Sequence, residues 1–217
     1  MLAAPAAVSA NEAGDILVKA GLAYVKPDTG QSTAYLNGGD SGYALSVDDD
    51  TQLYGAIAYF ISSNWAIEAI VATPFSHDVA ISGNGALGEF SNLNVAEVTH
   101  LPPIISALYY FDTTSAFQPY VGVGINYTFF WDEKFNSTGA GAGFSDLSLD
   151  SSVGYAVQAG ADYYFDEALF LNVSVRYADI NTDVKFNLTE PDGTVLAGSS
   201  SIDVDPMVYT ISIGYKF

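Results

Sequence analysis

Val208-Tyr-Thr-Ile-Ser-Ile-Gly-Tyr-Lys-Phe217 closes the chain. Its odd positions, Tyr209, Ile211, Ile213, Tyr215 and Phe217, are large and apolar. Its even positions, Val208, Thr210, Ser212, Gly214 and Lys216, are mostly small or polar. Successive side chains of a strand point to opposite faces, so this period of two builds one face for an apolar surrounding and one for a narrow interior. On a helix the same residues would be spread around the circumference.

The same alternation recurs upstream. Val153, Tyr155, Val157, Ala159, Ala161, Tyr163 and Phe165 oppose Gly154, Ala156, Gln158, Gly160, Asp162 and Tyr164. Val121, Val123, Ile125, Tyr127, Phe129 and Trp131 oppose Tyr120, Gly122, Gly124, Asn126, Thr128 and Phe130. Leu169, Leu171, Val173, Val175 and Tyr177 oppose Phe170, Asn172, Ser174 and Arg176, and Trp65, Ile67, Ala69 and Val71 oppose Ala66, Glu68 and Ile70. With less regular segments at 16–26, 51–60 and 97–111, the pattern predicts eight strands near 16–26, 51–60, 64–80, 97–111, 117–135, 150–165, 168–186 and 201–217.

The connections alternate in length. Those at 61–63, 112–116 and 166–167 are tight, and those at 27–50, 81–96, 136–149 and 187–200 are long and rich in Gly, Ser, Asn and Asp. An up-and-down meander puts all tight turns at one end and all long loops at the other, as in a transmembrane barrel. The fold expected is therefore all-β, an eight-stranded antiparallel up-and-down transmembrane β-barrel. Trp65, Tyr109, Tyr215 and Phe217 fall at the short-turn end and Trp131 toward the other, as two interfacial aromatic girdles.

Composition narrows the function. The chain has 217 residues, 49% hydrophobic, with 25 acidic against 6 basic residues and a net charge of −19. Such a balance opposes nucleic-acid binding, which needs Lys and Arg against phosphates. No cysteine is present, so disulfides and thiolate chemistry are excluded. The longest apolar run, Ala56 to Ile61, ends at Ser62-Ser63-Asn64, too short for a membrane helix. Residues 1–10 read either as a residual signal-peptide or linker segment, with Val8-Ser9-Ala10 fitting the small-x-small cleavage rule, or as a flexible Ala-rich terminus. Residues 11–217 form the single barrel domain.

Few motifs suggest chemistry. Ser76-His77-Asp78 are neighbours on a strand, so they cannot converge as a triad. Gly139-Ala-Gly-Ala-Gly143 lacks the Lys of a phosphate loop and reads as a flexible stretch. Continuous phase in the third and fourth strands would put His77 outside and His100 inside, unable to share a metal unless a bulge intervenes. No catalytic residue, metal or cofactor is expected. Glu68, Tyr120, Asn126, Gln158, Asp162 and Arg176 point inward as lumen candidates. Gly122, Gly124, Gly154, Gly160 and Gly214 either leave room for a solute or relieve crowding in a narrow barrel.

Proline lacks a ladder donor, yet Pro74 sits in the third strand and Pro102-Pro103 in the fourth. Pairing Trp65 with Phe111 places Pro74 opposite Pro102. The defect reads either as a lateral opening, with Pro74, His100, Pro102 and Pro103 as candidates, or as a bulge above the membrane.

Four ordered motifs then carry a resemblance: Ala72-Thr-Pro-Phe-Ser-His-Asp78, Thr99-His-Leu-Pro-Pro103, Pro119-Tyr-Val-Gly-Val-Gly-Ile-Asn-Tyr127, and Asp205-Pro-Met-Val-Tyr209 with Gly214-Tyr-Lys-Phe217. Over residues 14–217 the chain resembles the OmpW family of eight-stranded outer-membrane proteins. The resemblance implies a Gram-negative outer membrane, with lipid and lipopolysaccharide as surroundings. It implies a channel-like barrel for uptake of small hydrophobic molecules, with lateral release through a proline-interrupted wall at Pro102 and Pro103. Phe217 resembles the signal read by the outer-membrane assembly machinery. A monomer is expected. A narrow channel for small polar solutes such as amino acids, and a structural or receptor barrel with active external loops, remain alternatives. The excess of Asp over Lys departs from the family pattern.

Overall fold

A computed structural model describes residues 11–28, 32–85 and 88–217. The reading of residues 1–10 lies outside the described residues. In chain order the elements are β1 (Ile16–Lys26), β2 (Ser32–Leu36), β3 (Gly39–Val47), β4 (Asp50–Phe60), β5 (Trp65–Ala72), β6 (Phe75–Gly85), β7 (Gly88–Leu101), β8 (Ile104–Tyr110), β9 (Phe117–Phe135), α1 (Ser137–Gly141), β10 (Phe144–Leu149), β11 (Ser152–Tyr164), β12 (Leu169–Ala178), β13 (Asn181–Thr189), β14 (Val195–Asp203) and β15 (Met207–Lys216).

Eight of the strands close a ring in the order β1, β4, β5, β8, β9, β11, β12, β15 and back to β1, every pair antiparallel. First and last strands meet along their whole length, from Leu17↔Lys216 to Lys26↔Met207. Closure removes the edges that lipid cannot solvate. Ten tilted residues, as in β15, rise about 25 Å, the height of a hydrocarbon core. The outward face is apolar: Ile57, Val123, Ile125, Val153 and Ile211 are each more than half exposed. In water such a belt would drive aggregation, whereas in lipid it is the required surface. Trp65 packs edge-on against Tyr109, and Tyr215 against Phe217, at the short-turn end. Tyr127 meets Phe129 near Trp131 at the other end. Beneath the ring, the Leu169 and Ala168 amides both donate to Asp166 Oδ1, which closes the last tight turn and holds that carboxyl below its ordinary range.

The inner face is filled rather than hollow in its lower half. A Cβ at Gly214 would stand 2.1 Å from the Phe170 ring and at Gly160 2.5 Å from the Tyr120 ring; higher up, at Gly154, it would stand 1.8 Å from the Asp179 carbonyl oxygen. These glycines relieve crowding; the volume that they give up is taken by neighbouring rings and backbone.

The long connections are not irregular loops. A second tier of strands, in the order β10, β13, β14, β2, β3, β6, β7, β9, stands on the ring and shares β9 with it. The hairpin β2–β3 turns at Asn37-Gly38, both with positive φ, the Asn-Gly pair that favours a two-residue turn matched to strand twist. The stretch expected to be flexible at 139–143 instead starts within helix α1. Its N-cap Asn136 accepts from the Thr138 and Gly139 amides. A Cβ at Gly139 would lie 2.3 Å from the Val95 carbonyl oxygen, so this glycine lets the helix seat against β7.

Two further expectations are corrected. Trp65 pairs with Tyr109, not Phe111, and the register runs to Ile70↔Ile104. The Tyr110 amide donates to Asn64 O, and Asn64 Nδ2 returns to Tyr110 O, which fixes the turn two residues from the expected register. Pro74 therefore does not stand opposite Pro102. Second, His77 is buried and faces inward. Residues 73 and 74 break the strand between β5 and β6, and the phase changes there: Glu68 and Ile70 point in below, Phe75, His77 and Val79 point in above.

The glycine contacts give a test. Gly154→Ala should destabilise the barrel by about 2 kcal/mol, as overpacking against backbone does. Gly141→Ala, where a Cβ meets nothing within 4 Å, should change stability by less than about 0.5 kcal/mol. Urea midpoints in lipid vesicles read both. Equal effects would show that the inner face is looser than described.

Candidate functional site

The ring's interior has three levels, set by the alternation of its strands. At the short-turn end Leu17, Phe60, Ala66, Leu108, Tyr110, Tyr120, Tyr164 and Phe170 form a compact aromatic plug. Asp162 is buried among them, accepting from the Tyr110 hydroxyl at 3.0 Å and from Asn172 Nδ2 at 2.7 Å. Asn172 also donates to the Tyr120 hydroxyl.

Above the plug lies a charged floor. Lys19 Nζ and Glu68 Oε2 are 2.8 Å apart and neither side chain reaches solvent. Gln158 Nε2 donates to Glu68 Oε1 at 2.9 Å. Arg176 sends Nε and Nη2 to Gln158 Oε1, and its Nη2 stands 3.9 Å from Glu68 Oε1. Lys19 also lies over the Tyr120 ring, 4.9 Å from its centroid. Buried charges survive only when paired and hydrogen-bonded, and this network supplies both.

Over the floor the interior turns apolar. A narrow cavity is walled by Ala23, Val25, Ile70, Phe75, Ile104 and Val208 among others, with Tyr54 and Arg176 beneath. A second continues upward between Leu45, Val79, Val98, Phe135, Leu149 and Val184. His100 and Ile180 belong to both walls. His77 and His100 stack at 5.0 Å and 18°, between Phe75 and Phe130. In stacked rings the lone pairs run side by side, a geometry of aromatic packing rather than of two ligands converging on one ion. The His77 Nδ1 contacts the Asp48 carbonyl oxygen at 2.8 Å, so that nitrogen donates.

One wall of the lower cavity is a seam. The β5–β8 ladder stops at Ile70↔Ile104, and the β6–β7 ladder resumes at Phe75↔His100. Between them lie 71–74 on one side and 101–103 on the other. The flanking partners are kept: Thr73 N donates to Leu53 O, and Tyr127 N donates to Pro103 O. Ala72, Pro102 and Ile104 line the cavity at this height, and Val71 beside them faces the lipid belt.

The structure thus brings Glu68, Gln158 and Arg176 together in the floor, and Tyr120 and Asp162 in the plug. Asn126 is buried at a strand junction, with Nδ2 donating to the Tyr155 and Asp179 carbonyls. His100 and Pro102 reach the cavity; Pro74 is exposed and Pro103 half-buried at the seam. Three residues escaped the sequence reading, Lys19, Tyr54 and Tyr110, while Asn172 was placed on the inner face without being singled out. Lys19 carried a readable signal, since a lysine inside a membrane strand marks a partnered interior. Its strand alternates too weakly, with Ala20, Gly21 and Ala23, to fix its face.

Comparison with known proteins gives a consistent result. The model of the OmpW family matches residues 12–217. Outer membrane protein W of Vibrio cholerae serotype O1 is 42% identical over 213 residues, 98% of this chain and 93% of that protein. Outer membrane protein AlkL of Ectopseudomonas oleovorans is 33% identical over 80% of this chain and 69% of its own length. Among solved structures, the outer membrane protein OprG from Pseudomonas aeruginosa superposes with a TM-score of 0.87 at 38% identity, covering 97% of this chain and 99% of that one.

The floor network makes a stability prediction. Lys19→Met leaves Glu68 with one fewer cation and should cost roughly 3 kcal/mol. Lys185→Met, which breaks an exposed pair with Asp150, should cost less than about 1 kcal/mol. Urea unfolding in vesicles distinguishes them; similar midpoints would mean that the floor is hydrated.

Proposed function

From the premise that this chain belongs to the OmpW family of outer-membrane barrels, we propose that it carries small hydrophobic molecules through the outer leaflet and releases them sideways into the membrane. The observation that carries this reading is the shape of the interior: an apolar cavity, closed below by paired charges, with its weak wall at 71–74 and 101–103.

Energetics favour the sideways route. A solute with about 200 Å² of apolar surface gains about 5 kcal/mol on leaving water for an apolar cavity, at about 25 cal/mol per Å². Moving from that cavity into lipid tails costs it almost nothing on the same scale. Moving downward would place it among Lys19, Glu68 and Arg176 and separate their hydrogen bonds, at several kcal/mol. The downhill exit is therefore the seam, where fewer ladder bonds oppose it. Pro102 and Pro103 keep the seam weak because neither has an N–H to give. No chemical step is required; the barrier overcome is the polar, charged outer leaflet.

The same floor argues against a channel for small polar solutes, which would need a hydrated path past Glu68. Purified protein in planar bilayers should pass negligible ionic current.

Pro102→Ala with Pro103→Ala restores donors at the seam. A regained ladder bond is worth about 1 kcal/mol, and two would reduce opening by about tenfold or more. Uptake of a hydrophobic fluorescent probe by cells should fall accordingly, with heat-modifiable migration confirming an intact barrel. Unchanged uptake would contradict lateral release. A large ionic current with polar-solute competition would contradict the reading as a whole.

A further inference from the structure

The lower cavity is apolar everywhere except at its base, where Arg176 and Tyr54 stand. Arg176 lines it from below, yet its Nε and Nη2 donate to Gln158, a neutral amide. The nearest carboxylate, Glu68, makes its short contact with Lys19 at 2.8 Å and stands 3.9 Å from Arg176. The other buried carboxylate of the interior, Asp162, stands lower in the barrel, where it accepts from Tyr110 and Asn172. Beside Arg176 in the same wall, the Tyr54 hydroxyl is buried without a hydrogen-bond partner among the described residues. A buried donor left unmade costs about 1–3 kcal/mol, and a buried guanidinium prefers a planar anion.

We propose that this base is a headgroup site for a carboxylate carried on an apolar tail, such as a medium-chain fatty acid or a hydrophobic aromatic acid. The carboxylate accepts from the Arg176 guanidinium and the Tyr54 hydroxyl. The tail lies among Val25, Ile70, Phe75 and Ile104, next to the seam. The site selects the solute among hydrophobic molecules and so rests on the uptake reading. It adds that the preferred cargo is amphiphilic and anionic, although the chain as a whole carries a net charge of −19.

The test compares octanoate with 1-octanol, equal in chain length, on protein in lipid nanodiscs. Titrations are read from the Arg176 side-chain nitrogen resonance and from cavity methyls. Octanoate should bind at least about tenfold more tightly and shift the Arg176 resonance. Arg176→Gln should bring the two ligands to the same affinity, Arg176→Lys should restore part of the preference, and Tyr54→Phe should weaken octanoate several-fold. If Arg176→Gln does not assemble, Tyr54→Phe decides alone. Equal affinities in the unaltered protein, or a preference that survives Arg176→Gln or Tyr54→Phe, would overturn the proposal and leave hydrophobic uptake standing. Saturable binding of neither ligand would overturn both.

Discussion

The backbone hydrogen bond, with lipid unable to replace it, governs this structure. Every N–H and C=O at membrane depth must find a partner within the chain, and a closed ring of antiparallel strands is the way to do this without helices. Closure then dictates the rest. It aligns Leu17 with Lys216, forces one side of each strand toward lipid and the other into a space barely wide enough for side chains, and makes any interruption of the ladder a costly event. The interruption at 71–74 and 101–103 matters because the rest of the ring is so completely paired.

The interior follows from the same narrowness. Eight strands enclose little volume, so the lower half is packed to the point where Gly160 and Gly214 must yield space to Tyr120 and Phe170. Charges placed there cannot be hydrated and are held by one another: Lys19 by Glu68, Glu68 by Gln158, Gln158 by Arg176. The upper half, where a second tier of strands continues the wall above the ring, is lined by Val, Ile, Leu and Phe. An apolar chamber on an ion-paired floor is a vessel with its downward exit shut. In the uptake proposed above, the contrast in polarity between the levels, rather than any moving part, would give the path its direction.

Much of this was legible in the chain. The alternation of 208–217, 153–165 and 120–131 is strong because one face carries Ile, Val, Tyr and Phe without interruption, so the ring strands were readable. Glu68, Gln158, Asp162 and Arg176 take their inward positions from that phase. The phase fails where the backbone breaks it. At Thr73-Pro74 one strand ends and another begins with the opposite parity, which turns His77 inward; Pro74 marks the break, but not the parity that follows it. The upper tier was hidden for another reason: its strands are short or irregular, with register shifts in β2–β3 and β6–β7, and their Gly and Asn content reads as loop. Asn37-Gly38 was the overlooked sign of a hairpin. The pairing of Trp65 with Tyr109 depends on the Asn64 side chain, a contact between residues 46 apart that no single-strand pattern encodes.

The account stands on where a hydrophobic molecule rests inside the barrel. Crystals grown in a lipidic medium and soaked with a brominated hydrocarbon would show this by the anomalous signal of bromine. Peaks are expected in the chamber above Arg176 and along the seam between Ala72 and Pro102, continuous with the surrounding lipid. Peaks between Glu68 and Asp162, beneath the charged floor, would mean that solutes descend through the barrel and would contradict the account.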